Sequence, residues 1–240
     1  MTYPKIILVE PSHPGNIGAI ARAMKTMGHT ELRLVQPKAF PSDIANARAS
    51  GAVDILHNAT CYPDLISALQ GCDLVFATSA RPRTLNWKTY SPRDAARHSL
   101  QSSSKQPAIV FGRESSGLTN DELNLCQGQI IIPTIGDYHA LNLSHAVQIM
   151  TYEFANLQET AASFDEKSLE PLPHHEQILK LHEHLAKTLK KLPNFTMTNS
   201  KHTLNRLNCF INRAQPTQNE LNLLRGILSA IDSLIKQHEV

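Results

Sequence analysis

Five runs along the chain are apolar at nearly every position: KIILVE (5–10), LRLVQP (32–37), CDLVFATS (72–79), PAIVFG (107–112) and QIIIPT (129–134). A strand with one wet face alternates apolar and polar residues, whereas a strand covered on both faces reads as a continuous apolar run. Helical patterns separate several of these runs, so the spacing predicts an α/β fold with a mostly parallel sheet between helices. Behind the first run, Ile17, Ile20, Ala21, Met24 and Met27 form a stripe at helical spacing, with Asn16 as the expected N-cap and Gly28 as the left-handed stop. At 100° per residue Arg22 falls well away from that stripe.

After Leu141 the pattern becomes one long helix to about Glu159, followed by a polar stretch, SFDEKSLEPLPHH, with Pro171 and Pro173. Beyond it come only helical patterns, first with Ile178, Leu181, Leu185, Leu189 and Leu192 on one face, then TLNRLNCFINRA and TQNELNLLRGILSAIDSLIKQ. The expected organisation is an α/β domain over 1–162, a linker over 163–176 and a small helical extension over 177–240.

A chain of 240 residues that is 41% hydrophobic and 18% charged can bury a sizeable core. No run approaches the ~18 to 20 apolar residues of a membrane span, and MTYPKIILVE lacks the features of a signal peptide, so a cytoplasmic location is expected. Cys61, Cys72, Cys126 and Cys209 form no C-x-x-C pair, which argues for reduced, mostly buried thiols. His174, His175, His182 and His184 cluster in sequence, but no carboxylate completes a familiar ligand spacing and no metal is expected. The net charge is only +2, yet Lys187, Lys190, Lys191, Lys201, Arg206 and Arg213 lie between His184 and Asn219 without an acidic residue. From Arg81 to Lys105, six basic residues face Asp94 alone. Each zone reads as a footprint for a polyanion or as a solvated face.

Two further loops carry candidate chemistry. In VFGRESSGLTNDEL an apolar strand runs into Gly112, Arg113 and Glu114, and Thr119 with Glu122 forms a capping box for the next helix. Open α/β sheets bind ligands at such strand ends, although Glu114 would also serve to satisfy backbone donors in the turn. In IIIPTIGDYHALNLSHAVQIMTYE, the strand over 129–132 ends at Pro133, and Leu141, Asn142 and Ser144 open the long helix, where capping is the simplest role for the last two. No G-x-G-x-x-G follows the first strand and no Walker motif is present, so a Rossmann-type dinucleotide site is not expected.

Taken in order, PGNIGAIARAMKTMG, VFGRESSGLTNDEL and IIIPTIGDYHALNLSHAVQI resemble the three blocks of the SpoU branch of the SPOUT RNA methyltransferases, over about the first 160 residues. The C-terminal NRAQPTQNELNLLRGIL and its basic helical surroundings resemble the TrmJ-type subfamily, which methylates the ribose 2′-hydroxyl of cytidine or uridine at position 32 of the tRNA anticodon loop. The resemblance implies a SPOUT fold closed by a deep trefoil knot, S-adenosylmethionine as cofactor, tRNA as partner and a homodimer with each active site near the subunit interface. It places the cofactor against Thr78, Ser79, Ala80, Gly112, Glu114, Ile132, Leu141 and Asn142, and the chemistry at Arg22, Asn16, Glu114 and Ser144.

A guanidinium keeps its proton at neutral pH, so an arginine here orients the 2′-hydroxyl or the adjacent phosphate rather than acting as a simple base. One departure stands out: Ala140 occupies a position where many relatives carry serine, a loss worth ~1 kcal/mol if that hydroxyl makes a hydrogen bond. RNA contacts are expected from Arg81, Arg83, Lys88 and Arg93, with Trp87 or Tyr90 stacking on a base, and from Lys187, Lys190, Lys191, Arg206 and Arg213 on the extension. Trp87 reads equally as a core or interface anchor. The competing readings are a 2′-O-methyltransferase for ribosomal RNA or another tRNA site, and an RNA-binding knot protein without catalysis.

Overall fold

The computed structural model describes residues 3–80, 88–102, 105–135, 139–160, 171–192 and 197–238. Among them, seven strands form one parallel sheet: β1 (Lys5–Val9), β2 (Leu32–Val35), β3 (Thr60–Tyr62), β4 (Leu74–Ser79), β5 (Thr89–Tyr90), β6 (Pro107–Phe111) and β7 (Gly128–Ile131). Their spatial order is β3-β2-β1-β6-β4-β7-β5, so β6 inserts between β1 and β4. Every pairing is parallel, with Ile6 beside both Leu32 and Ile109, and Phe76 beside Gly128.

The continuous apolar runs have the cause expected of them, because successive residues serve two cores. Ile6 and Leu8 face one core with Phe76 and Phe111, while Ile7 and Val9 face the other with Val75 and Val110. The edge strands β3 and β5 have no comparable apolar run, and periodicity did not reveal them.

Helix α1 (Pro14–Thr26) begins two residues before the expected cap. His13 is its N-cap and accepts from the Gly15 amide at 3.1 Å. Pro14, with its φ already helical, starts the helix at that point, which leaves the Asn16 side chain free for another use. The helix stops at Gly28, φ +77°, as expected. Helices α2 (Asp43–Ala49), α3 (Val53–His57), α4 (Leu65–Ala68), α5 (Pro92–Gln101) and α6 (Asn120–Leu123) fill the connections, and the Thr119–Glu122 capping box is present at α6. Helix α7 (Leu143–Thr160) packs beside α1 and contributes Val147, Met150 and Phe154 to the first core.

The C-terminal part comprises α8 (His175–Leu189), α9 (Met197–Ala214) and α10 (Gln218–His238). Helix α8 starts two residues inside the stretch expected to be linker, since Gln177 folds back to accept from the His174 amide at 2.9 Å. Ile178, Leu181 and the half-buried Leu185 pack with Ile211, Leu221 and Leu228, as the helical spacing predicts. This extension is tied to the strand entrances. The His175 amide donates to Cys72 O at 2.6 Å, Glu176 accepts from the Gly71 amide, and Asn212 donates to the carbonyls of Asn124 and Cys126. It therefore seats at the amino ends of β4 and β7. Cys72, Cys126 and Cys209 are buried free thiols, whereas Cys61 is exposed. Among the described residues, no helix is long and apolar enough to cross a membrane.

Candidate functional site at the carboxyl ends of the strands

At the opposite end of the sheet, the loops after β4, β6 and β7 surround an open crevice of about 450 Å³, within the range of small-ligand sites. Thr78, Ser79, Ala80, Gly112, Glu114, Ile132 and Leu141 all line it, as the sequence reading expects, together with Phe111, Leu118, Leu123 and Leu143. Asn142 is not in the wall. The Thr78 hydroxyl donates to Val110 O at 3.1 Å, so it fixes the strand end against its neighbour. Ser115, Ser116, Ala140 and His139 also line the crevice, and His139 Nδ1 lies 2.6 Å from the Thr134 hydroxyl. Sequence reasoning did not single out these two serines or the histidine; each lies within a block already marked.

The turn that follows β6 allows no side chain at its first residue. A Cβ on Gly112 would stand 2.2 Å from Gly117 C and 2.4 Å from Leu118 N, because the main chain folds back on itself through Gly117 at φ +70°. This hairpin-like return presents Glu114 to the β1–α1 loop. Its carboxylate accepts from the Ser12 amide (3.0 Å), the Ser12 hydroxyl (3.0 Å), the His13 amide (3.3 Å) and Asn16 Nδ2 (3.1 Å). Glu114 thus does satisfy backbone donors, but in a different loop from its own. Partial burial opposes its ionisation, and the donors from Ser12 and Asn16 outweigh that effect, leaving its pKa below the usual carboxylate value. Position at the amino end of α1 favours the same charge. Ser12 and His13 have no signal in the sequence that would have marked them.

The polar contacts continue through Asn16. Its Oδ1 accepts from Asn142 Nδ2 at 3.2 Å, and Asn142 Oδ1 accepts from the Ser144 amide and hydroxyl at 2.8 and 2.7 Å. Asn142 therefore caps α7 and also faces the first block. Glu114, Asn16, Asn142 and Ser144 form one hydrogen-bonded chain from three distant segments, with Glu114 common to chain and crevice. Arg22 lies outside it, exposed and about 9 Å further along α1 than Asn16. Among the described residues its guanidinium makes no ion pair.

Several expected RNA contacts have a more specific placement. Arg81, Arg83 and Trp87 lie outside the described residues. Lys88 is exposed, with its ammonium 5.2 Å from the Tyr90 ring centre. Tyr90 is not available for base stacking, because it is only 8% exposed and its ring stacks on His98 at 5.2 Å against Phe76. Arg93 pairs with Glu153 at 3.3 Å. On the extension, Lys187, Lys190 and Arg206 are exposed, as is Arg213, whose guanidinium lies 6.0 Å from the exposed Phe210 ring. Lys191 pairs with Asp232 at 2.9 Å, and its hydrogen bond pulls the Asp232 carboxyl down to about 2. Among the described residues, no group of three or more His, Cys, Asp or Glu side chains is placed to hold a metal ion.

An open parallel sheet with a ligand-sized crevice at its carboxyl ends, bordered on one side by a carboxylate–amide–hydroxyl chain, has the architecture in which open α/β sheets bind small molecules. The chain belongs to the SpoU rRNA Methylase family, whose model matches residues 4–152; the model of the C-terminal domain of the tRNA methyltransferase TrmJ matches residues 176–240. It is 44% identical over 230 residues, covering 95% of both chains, to the tRNA (cytidine/uridine-2′-O-)-methyltransferase TrmJ of Pectobacterium atrosepticum. Its structure is similar to that of TrmJ from Z. mobilis ZM4, with TM-score 0.83, 30% identity and coverage of 96% and 100% of the two chains. It shares its fold with the SpoU methyltransferase AviRb from Streptomyces viridochromogenes, solved in complex with AdoMet, at TM-score 0.53 and 19% identity over 66% of this chain and 61% of that one. The fold is that of the SPOUT methyltransferases.

Proposed function

We propose that this protein methylates the ribose 2′-hydroxyl of a cytidine or uridine in tRNA, at position 32 of the anticodon loop, with S-adenosylmethionine as methyl donor. The observation that carries this reading is the Glu114–Asn16–Asn142–Ser144 chain on the border of the crevice. The crevice residues fit the cofactor: Phe111, Leu118 and Leu141 offer apolar walls to an adenine ring, and the turn at Gly112 offers main chain unobstructed by a side chain. When bound, S-adenosylmethionine supplies an electrophilic methyl group on a sulfonium.

The protein's own part is positioning. Asn16 and Ser144 offer polar groups to a ribose, Glu114 fixes Asn16, and Arg22 orients the 2′-hydroxyl or its phosphate and stabilises developing negative charge on oxygen. The exposure of Arg22 fits a homodimer in which a second copy completes the site. The trefoil knot and the division into 1–162, 163–176 and 177–240 belong to the same reading.

The test is methyl transfer from labelled S-adenosylmethionine to unmodified tRNA transcripts, with the modified ribose mapped. Methylation at position 32 supports the proposal; transfer to ribosomal RNA alone, or tRNA binding without cofactor binding, overturns it.

The exposed cations of the extension carry a second expectation. tRNA affinity should fall with a linear slope of log K against log salt, each phosphate contact contributing about −0.7 to −0.9. Replacing Lys187, Lys190 and Arg206 with glutamine together should reduce the slope by about 2 to 3. A filter-binding series between low and moderate salt measures it, and an unchanged slope removes these residues from the interface.

A further inference from the structure

Arg113 precedes Glu114 in the same turn, yet the two side chains grip different points of one loop. The Arg113 guanidinium donates to both carboxylate oxygens of Glu122 at 3.0 Å each, and also pairs with the carboxylate of Glu10. Its main chain is fixed as well, since Arg113 and Gly117 exchange amide–carbonyl bonds of 3.2 and 2.9 Å across the turn. Glu10 ends the extended segment after β1, in the left-handed region at φ +46°, two residues ahead of Ser12. The cation at 113 therefore holds the start of the β1–α1 loop by its carboxylate, and the carboxylate at 114 holds the next residues by their amides.

An exposed ion pair would warrant no role, because such pairs contribute little. This cluster differs. The side chains of Arg113 and Glu122 are 22% and 16% exposed, the fork is bidentate, and the third member belongs to another segment. A non-glycine residue held at positive φ is also a feature that surrounding structure must enforce.

We propose that Arg113 is a positioning residue for methyl transfer: by clamping Glu10 to Glu122, it fixes the β1–α1 loop against the β6–α6 turn so that Asn16 meets Glu114. This rests on the methyltransferase reading. Lysine keeps the charge of Arg113 but cannot form the fork, and Glu10→Gln removes the charge from the link to the first loop, leaving at most a neutral hydrogen bond, while sparing the pair with Glu122.

The experiment compares wild type, Arg113→Lys and Glu10→Gln for kcat, for KM of tRNA, and for hydrogen exchange at the Ser12 and His13 amides. The expected result is a kcat about tenfold lower in Arg113→Lys and several-fold lower in Glu10→Gln, an unchanged KM for tRNA, and exchange at the two amides at least tenfold faster. Should Arg113→Lys fail to fold, Glu10→Gln decides alone. Wild-type kcat together with wild-type exchange in the folded variants overturns the proposal. If the wild-type protein transfers no methyl group, the functional reading fails, and the exchange rates still decide whether the clamp holds the loop.

Discussion

Asn16→Ala is expected to reduce kcat for tRNA methylation by about two orders of magnitude or more, the scale seen when a preorganised donor is removed from a reaction site. Asn16 is the link between blocks: its amide nitrogen donates to Glu114 and its oxygen accepts from Asn142, so one truncation breaks the chain on both sides. The fold should survive, because Asn16 neither caps α1 nor belongs to the core, and His13 supplies the cap. Arg22→Ala should cost as much in kcat for a different reason. Among the described residues its exposed guanidinium holds no other side chain through an ion pair, so its loss should remove only contact with RNA or developing charge. The two variants separate by cofactor affinity, measured by calorimetry with S-adenosylhomocysteine. Arg22→Ala should bind as wild type does, while Asn16→Ala, which loosens Glu114 at the crevice wall, should bind several-fold more weakly. Near-wild-type kcat in both would remove the first block from the chemistry.

Acidification is the second large effect. Burial presses His29, His175 and His182 down from 6.5 to about 4. Each stays neutral in the folded protein at pH values where the unfolded chain would take up a proton. Unfolding therefore binds protons below about pH 6.5, and stability is complete above that value and lost as pH falls towards about 4. Each group accounts for roughly 3 kcal/mol across the window, and three together are comparable to the whole stability of a typical domain, about 5–15 kcal/mol. The depressed carboxyls of Glu10, Glu114 and Glu122 act in the same direction lower down, because folding holds them ionised until more acidic pH. Urea unfolding at pH 7.0, 5.5 and 4.5 should show the midpoint falling steeply, and His182→Leu should flatten the curve. A midpoint constant across that range would show that these side chains are not neutral and buried in solution.

How much of this was legible beforehand depends on whether the signal was local. The five core strands, the stop at Gly28 and the Thr119–Glu122 box depend on neighbouring residues, and all appear in the structure. The strands β3 and β5 escaped because a strand of two or three residues at a sheet edge is defined by the neighbour it pairs with rather than by its own apolar content. Residue type favours Asn16 as a cap, whereas Pro14 and His13 start the helix earlier. Tyr90, beside a basic segment, looked suited to stacking on a base and is instead enclosed by Phe76 and His98.

The sequence by itself determined the class of fold, through buried-strand runs and helical stripes, and marked three loops as candidates for the chemistry. Only the tertiary structure decided which of their side chains meet. Glu114 reaches Ser12 across 102 positions and Asn142 reaches Asn16 across 126, contacts that exist because parallel pairing brings the carboxyl ends of β1, β6 and β4 side by side and α7 packs against α1. Periodicity records which face of an element is covered, but not by what. The partner of a polar side chain is set by sheet order and register, which no short stretch of this chain encodes alone.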